Sequence, residues 1–461
     1  MKKDYSVLMA ELSEEYQNHA PLSAELNRKA RRYLVDGGSH AIRLMNPFPP
    51  RITKARGAWV EDEDGNRILD FWQGHYANIL GHNSVVVTEP LANALGQGQG
   101  LQGGFTDRYQ VQAAEILCQQ TGYDRVRFTT SGTLATMYAI LLARGYTGRE
   151  LVMKVGAGWH GAHPWGLKGT SWYKGFEAVE SEGIPNAVTD QIVVTEFNNP
   201  ELLEDHFRQH GDKLACFIVE PVIGGGGLMP ATKEYLLAAR TLADKYGVVL
   251  IFDEVISAFR FRAGDVGQIY GVKADLITLG KIIGGGMPVA AVAGRADIMN
   301  LVGRLDQNRV KFSGGTYAAH VGSMLAAKSC MTYLVDNEAE IYSTLAEMGE
   351  ETRRTVTDAF AIEGILVRFA GDRSKILPQS SLHMLLFPYE EGLALISPEG
   401  VRNPETCDLD LTEKVVQLAM LLEDVHVVHG LGSTTTAHSD KELQFLSEAC
   451  QRVAGRIKPY L

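Results

Sequence analysis

Between residues 125 and 294 the chain repeatedly alternates short, nearly unbroken apolar runs with longer segments of helical period. The runs are RVRFTT, ELVMKV, QIVVTEF, ACFIVEPV, GVVLIFDEV, ADLITLG and AAVAGR, and helix-like segments span 107–120, 133–144, 232–246 and 319–335. Strands that are apolar along their whole length have no face for water, so the pattern predicts an α/β fold with a buried, mostly parallel sheet covered on both sides by helices. Earlier in the chain, apolar and polar residues alternate on both sides of Asp64-Gly65-Asn66, which predicts a hairpin. Residues 1–60 read as an amphipathic helical start followed by GGSHAIRLMNPFPPRI, whose glycines and prolines exclude regular helix. From about residue 330 the rhythm shifts to helices with fewer strands, ending in a helix over 439–456. The expected organisation is an arm over 1–60 that joins a small domain, a large α/β domain over 61–330, and a smaller α+β domain over 331–461.

Composition narrows the classes of partner. The chain has 461 residues, enough for more than one lobe and a large core. Asp and Glu number 55 against 44 Lys and Arg, for a net charge of −11, and no basic block interrupts that balance. Neither a nucleic acid nor an anionic membrane is therefore expected as a partner. The N-terminal MKKDYSVLMAELSEEYQ holds no apolar run long enough for a signal peptide or a membrane span, which leads us to expect a cytoplasmic protein. The five cysteines are scattered with no C-x-x-C pair, and the histidine pairs 160/163 and 426/429 have no acidic residue in zincin-like register, so neither a disulfide framework nor a metal site is expected. The 48 glycines cluster in runs, where a chain turns sharply or passes close to something.

In parallel α/β sheets ligands bind beyond the carboxyl ends of the strands, so the residues after each run carry the candidate chemistry. After RVRFTT, Ser131-Gly132-Thr133 opens a helix and offers an anion free backbone N–H groups and two hydroxyls; plain N-capping by Ser131 is the competing reading. Asp253 lies at the end of the apolar GVVLIFDEV, where a buried carboxylate needs a cation or a donor. Lys281 follows ADLITLG and is followed by Ile-Ile and three glycines, which leaves it room to bend over a ligand; taken alone it is an ordinary solvated lysine. Together, an anion cup, a buried carboxylate and a strand-end amine are the parts that hold pyridoxal 5′-phosphate. The amine forms a Schiff base and the carboxylate keeps the pyridine nitrogen protonated.

The stretch LIFDEVISAFR…GVKADLITLGKIIGGGMPVAAVAGR closely resembles the class III aminotransferases of fold type I, especially the branch of glutamate-1-semialdehyde 2,1-aminomutase and its aminotransferase relatives. The resemblance runs over nearly the whole chain, through GGSHAIR, DEDGNRILDF, SGT at 131–133, WHG at 159–161, VEPV at 219–222, GGT at 314–316 and AHSDKEL. It implies that Lys281 is the Schiff-base lysine and, once freed, moves a proton between substrate and cofactor. It further implies that Asp253 pairs with the pyridinium nitrogen, that Val255 and Trp159 flank the ring, and that Ser131, Gly132 and Thr133 hold the phosphate, with Thr316 reaching it from a neighbouring subunit of a homodimer with shared sites. Glu220 and His160 fall beside the cofactor, with structural or catalytic roles both open. Arg43 matches the arm arginine that binds a substrate carboxylate in relatives, with a plain surface arginine as the alternative.

The chain also departs from the family. Leu134 stands where SGTEA has a glutamate, Gly224 to Gly227 replace the segment in which aminomutases carry an Asn, and His320-Val321 replace an Asn-Pro. The aminomutase GTWGP segment is replaced by FWQGHYANI, which puts Gln73, His75 and Tyr76 at the substrate pocket. Cofactor chemistry is expected to be intact and recognition of glutamate-1-semialdehyde is not. The expected activity is transfer of an amino group from a small-molecule amino donor to an oxo-acid acceptor by ping-pong turnover, with an intramolecular aminomutase or a racemase as the alternative. The insert 162–185 is a candidate lid, with an ordinary loop as the other reading.

Overall fold

A computed structural model describes residues 3–170, 175–303, 309–372, 374, 376–377 and 379–461. The seven apolar runs form one sheet, from β1 (Arg125–Thr129), β2 (Leu151–Val155), β3 (Ile192–Thr195), β4 (Leu214–Val219), β5 (Val249–Glu254), β6 (Leu276–Leu279) and β7 (Ala290–Gly294). Their order is β1-β7-β6-β5-β4-β2-β3. Only β7 runs against its neighbours, β6 and β1; every other pairing is parallel. Every residue of β4 and β5 is buried, because helices cover both faces.

Side chains leave a strand alternately to its two faces, and the packing follows that period of two. Ile218, Ile251 and Leu276 join Ala139, Ile140 and Ala143 of the helix Gly132–Thr147 on one face. Phe217, Phe252 and Ile277 pack on the other with Leu236 of the helix Lys233–Tyr246 and Met324 of the helix Val321–Asp336. The helix ends carry local signals. Asp107 accepts from Tyr109 N and Gln110 N to cap Arg108–Thr121, Thr232 accepts from Tyr235 N to cap Lys233–Tyr246, and Ser439 with Glu442 forms a capping box for Asp440–Ile457.

The expected hairpin pairs Trp59–Asp62 with Arg67–Asp70, and the late strand Val425–His426 adds in parallel to Arg67–Asp70. Behind it, Leu8, Leu12, Tyr16, Ile68 and Phe71 share an apolar cluster with Phe360, Leu418, Leu446 and Val453. The chain passes from this cluster to the sheet's own between Phe71 and Trp72. The strand Trp59–Asp62 and the helix Val321–Asp336 run through positions 60/61 and 330/331, and the hairpin shares its apolar cluster with the C-terminal helices. In the insert 162–185, Gly169 N donates to Ala178 O and Glu180 N to Leu167 O, so its described parts pair with each other; residues 171–174 lie outside the described residues. Among the described residues, no helix is long and apolar enough to cross a membrane.

Candidate active site

The carboxyl ends of β5 and β6 set the floor of a cleft. Asp253, only 4% exposed, is satisfied from three directions: Thr278 Oγ1 donates to Oδ1 at 2.8 Å, Val255 N donates to the same oxygen at 3.2 Å, and His160 Nδ1 lies 2.8 Å from Oδ2. A carboxylate in an all-apolar strand is tolerable only with such donors. His160 comes from the loop after β2, and burial pushes its pKa down, so the ring meets Asp253 as a neutral donor through Nδ1. Its Nε2 is buried without a partner among the described residues.

Lys281 sits one residue past Gly280, at the end of β6, with a left-handed backbone (φ 47°) that is uncommon for a non-glycine residue. Among the described residues its amine has no hydrogen-bond partner. Burial pushes its pKa down to about 8, against the opposing pull of Asp253 and Glu220. Glu220, after β4, accepts from Trp159 N and Gly224 N at 3.0 Å each, and burial, with Asp253 nearby, pushes its pKa up to about 8. Val255 wedges between two glycines. A Cβ at Gly132 would lie 3.1 Å from Val255 Cγ1, and one at Gly280 would meet the same methyl at 3.1 Å.

These groups converge on a cavity of about 300 Å³. Ser131, Gly132 and Thr133 line it at the start of the helix Gly132–Thr147, where N–H groups have no intrahelical partner. Ser131 also caps that helix by accepting from Leu134 N at 3.3 Å. Trp159, His160 and Glu220 line a second side, Asp253, Val255 and Lys281 the floor, and His75 and His40 the remaining wall. Three expected residues do not line it. Tyr76 is buried and supplies its carbonyl oxygen to Arg260; Arg43 is exposed on the turn Ala41–Arg43, with its charge bearing on His40 and His75; Thr316 is exposed outside its own chain's cavity.

Four contributors were not singled out in the sequence. Thr278 is a lone hydroxyl in ADLITLG, and Lys154 a lone cation in ELVMKV, both local signals. Lys154 is fully buried and donates to Gly158 O, Gly166 O and Lys168 O at 2.9, 3.2 and 2.8 Å, which ties together both ends of the loop that carries Trp159 and His160. His40 came with the arm motif GGSHAIR but was not weighed as a wall residue. Arg402 donates to Gly225 O and pairs with Glu413, and so ties residues 402–413 to the glycine run after Glu220.

Helix N-terminus, buried carboxylate and lysine amine are set around one cavity, and a larger residue at Gly132 or Gly280 would crowd the Val255 side chain at its floor. The residues fit pyridoxal 5′-phosphate in its phosphate, its pyridine nitrogen and its aldehyde. The comparisons agree. Residues 43–372 match the family described as aminotransferase class-III. A glutamate-1-semialdehyde 2,1-aminomutase from Caldicellulosiruptor saccharolyticus is 34% identical over 342 residues, 74% of this chain and 78% of that protein. An omega-transaminase from Sphaerobacter thermophilus superposes with a TM-score of 0.84 at 30% identity over 94% of this chain and 97% of that one. A beta-phenylalanine aminotransferase from Variovorax paradoxus superposes at 0.83 with 26% identity over 98% of both chains. The chain belongs to the class III aminotransferase family, with the fold type I architecture. It is an enzyme, and its cofactor is pyridoxal 5′-phosphate.

Proposed function

We propose that the protein is an aminotransferase working through Lys281, with an amino acid as donor and an oxo acid as acceptor. The observation that carries this is that Lys281, whose amine has no hydrogen-bond partner among the described residues, lines the same cavity as the satisfied Asp253 carboxylate. When bound, the cofactor acts as an electron sink for the substrate carbon that loses its proton. Lys281 would hold the cofactor aldehyde, and its freed amine would be the group that takes and returns the substrate's proton. Asp253 would hold the proton on the pyridine nitrogen, and His160 orients Asp253. Val255 and Trp159 would pack against the ring, while Ser131, Gly132 and Thr133 would bind the phosphate. Glu220 fixes the backbone of Trp159 and Gly224.

On the substrate side we assign the wall to His75, with Arg43 taking the substrate carboxylate and Tyr76 acting from beneath the wall. The glycines 224–227 bring no side chain to hold a reaction intermediate for return of the amine, which favours transamination over mutation. Whole-length similarity to an omega-transaminase and a beta-phenylalanine aminotransferase supports the same choice. The second reading, an intramolecular aminomutase, is favoured by the 34% identity to glutamate-1-semialdehyde aminomutases. We also propose a cytoplasmic homodimer in which Thr316 contributes to the partner's phosphate site, and a two-lobed chain with the N-terminal hairpin in the C-terminal lobe. The test is to add a panel of α-, β- and ω-amino acids to the yellow holoenzyme without an oxo acid. Bleaching that stops after about one equivalent of oxo product, and resumes when an oxo acid is supplied, is expected. Rearranged product accumulating over many turnovers would establish the mutase instead.

A further inference from the structure

Gln73, Gly74, His75 and Tyr76 have φ values of 47°, 64°, 63° and 65°, a run of four left-handed residues of which three are not glycine. Each such residue carries a steric cost, and a run of them persists only where the surroundings impose it. The outcome of this turn is the direction of His75. Its ring lines the cavity beside Lys281, meets His40 edge-on and Trp72 at a tilt, at centroid distances of 5.5 and 5.1 Å, and has no hydrogen-bond partner among the described residues. An unpartnered imidazole on a strained turn, facing a cleft, is built to meet a ligand.

What imposes the turn is one carboxylate. Asp70, 4% exposed, accepts from Trp72 N through Oδ1 and from Gln73 N through Oδ2, at 2.9 Å each, and its carbonyl accepts from Gln73 Nε2 at 2.9 Å. The same two oxygens are gripped from outside the turn: His426 Nδ1 lies 2.8 Å from Oδ1 and His82 Nε2 lies 2.7 Å from Oδ2. Burial alone would raise the Asp70 pKa, but the two imidazoles hold it below the usual carboxylate range. His82 is held in turn by Asn78, 3.1 Å from its Nδ1. His426 belongs to the strand Val425–His426, whose Cα pairing sets it opposite Asp70. At the far end of the turn, Arg260 donates to the Tyr76 carbonyl.

We propose that Asp70, clamped between His82 and His426, is a positioning residue that holds the left-handed turn and so aims His75 at a polar group of the amino substrate. The strand Val425–His426 thereby bears on substrate recognition from outside the cleft. This rests on the aminotransferase reading for the identity of the substrate, but not for the geometry of the turn.

The test is a double-mutant cycle in the holoenzyme between His75→Ala and His426→Gln, with Asp70→Asn and His82→Gln as further variants. The probe is the panel amino acid that bleaches the wild type fastest. Each single variant is expected to raise KM roughly tenfold, the scale of one hydrogen bond to substrate, with the absorption of the bound cofactor unchanged. The double variant is expected to lose no more than His75→Ala alone. Losses that multiply, or a His426→Gln variant with wild-type KM, would overturn the proposal. Amide hydrogen exchange over 71–80 is read in parallel on the same proteins. Faster exchange in His426→Gln and His82→Gln is expected, and unchanged exchange in both would also overturn it. A wild type that does not bleach would contradict the aminotransferase reading, while the exchange experiment would still decide whether Asp70 holds the turn. His426→Gln and His82→Gln keep the carboxylate in place, so the test does not depend on Asp70→Asn folding.

Discussion

His160 Nδ1 lies 2.8 Å from Asp253 Oδ2, with both side chains buried beneath the cleft. The pair links two strand ends: the loop after β2 supplies the imidazole and β5 the carboxylate. Thr278 occupies the other oxygen, so the carboxylate keeps one orientation.

Asp253→Asn should keep the cofactor bound and slow proton removal from the substrate by roughly 10²–10³-fold, the usual scale for losing one preorganised electrostatic group. Single-turnover bleaching with a donor measures it. A variant within about threefold of wild type would remove Asp253 from the chemistry.

Gly132→Ala would set a methyl 3.1 and 3.2 Å from the two Val255 methyls. Overpacking of this kind costs about 1–3 kcal/mol, and here it should also weaken cofactor binding. Combining it with Val255→Ala should restore much of the lost stability, as read by thermal melts of the holoenzyme. An unrescued double variant would show that Val255 is not what excludes a side chain at Gly132.

The Lys281 amine, pushed down to about 8 by burial, is the nucleophile for the cofactor aldehyde only when unprotonated. The rate at which apoprotein captures pyridoxal 5′-phosphate should therefore rise with pH and level off above about 8. Glu220, pushed up to about 8, ionises over the same interval and broadens the transition. A midpoint at the ordinary lysine value of 10.5 would contradict the buried environment.

Lys154→Met keeps the length of the side chain and leaves three loop carbonyls without their donor. Each unsatisfied buried group costs about 1–3 kcal/mol, so urea unfolding should shift well below wild type, and the Trp159 loop should exchange amide hydrogens faster. Wild-type stability would mean that the carbonyls find other donors.

Much of the fold was legible because each strand is a local signal. All seven apolar runs are strands of one sheet, and the helices Arg108–Thr121, Lys233–Tyr246 and Asp440–Ile457 lie within a residue or two of their expected spans. The cleft residues at strand ends were legible for the same reason, since parallel sheets gather them at one edge. What depends on contacts distant in sequence was not. The hairpin's home with the C-terminal helices rests on pairing between Asp70 and His426, and the fastening of the glycine run rests on Arg402 and Gly225, 177 positions apart. Tyr76 was expected at the pocket because FWQGHYANI stands where the family's pocket-lining GTWGP does, yet nothing in FWQGHY announces four left-handed residues, three of them not glycine.

Borohydride reduction of the yellow holoenzyme, followed by proteolysis and mass spectrometry, tests the central claim most directly, because it fixes the cofactor to whichever amine holds it. The account predicts the pyridoxyl group on the peptide containing Lys281, and no labelled lysine in a Lys281→Ala protein prepared in parallel. Label on another lysine, such as the buried Lys154, would contradict it.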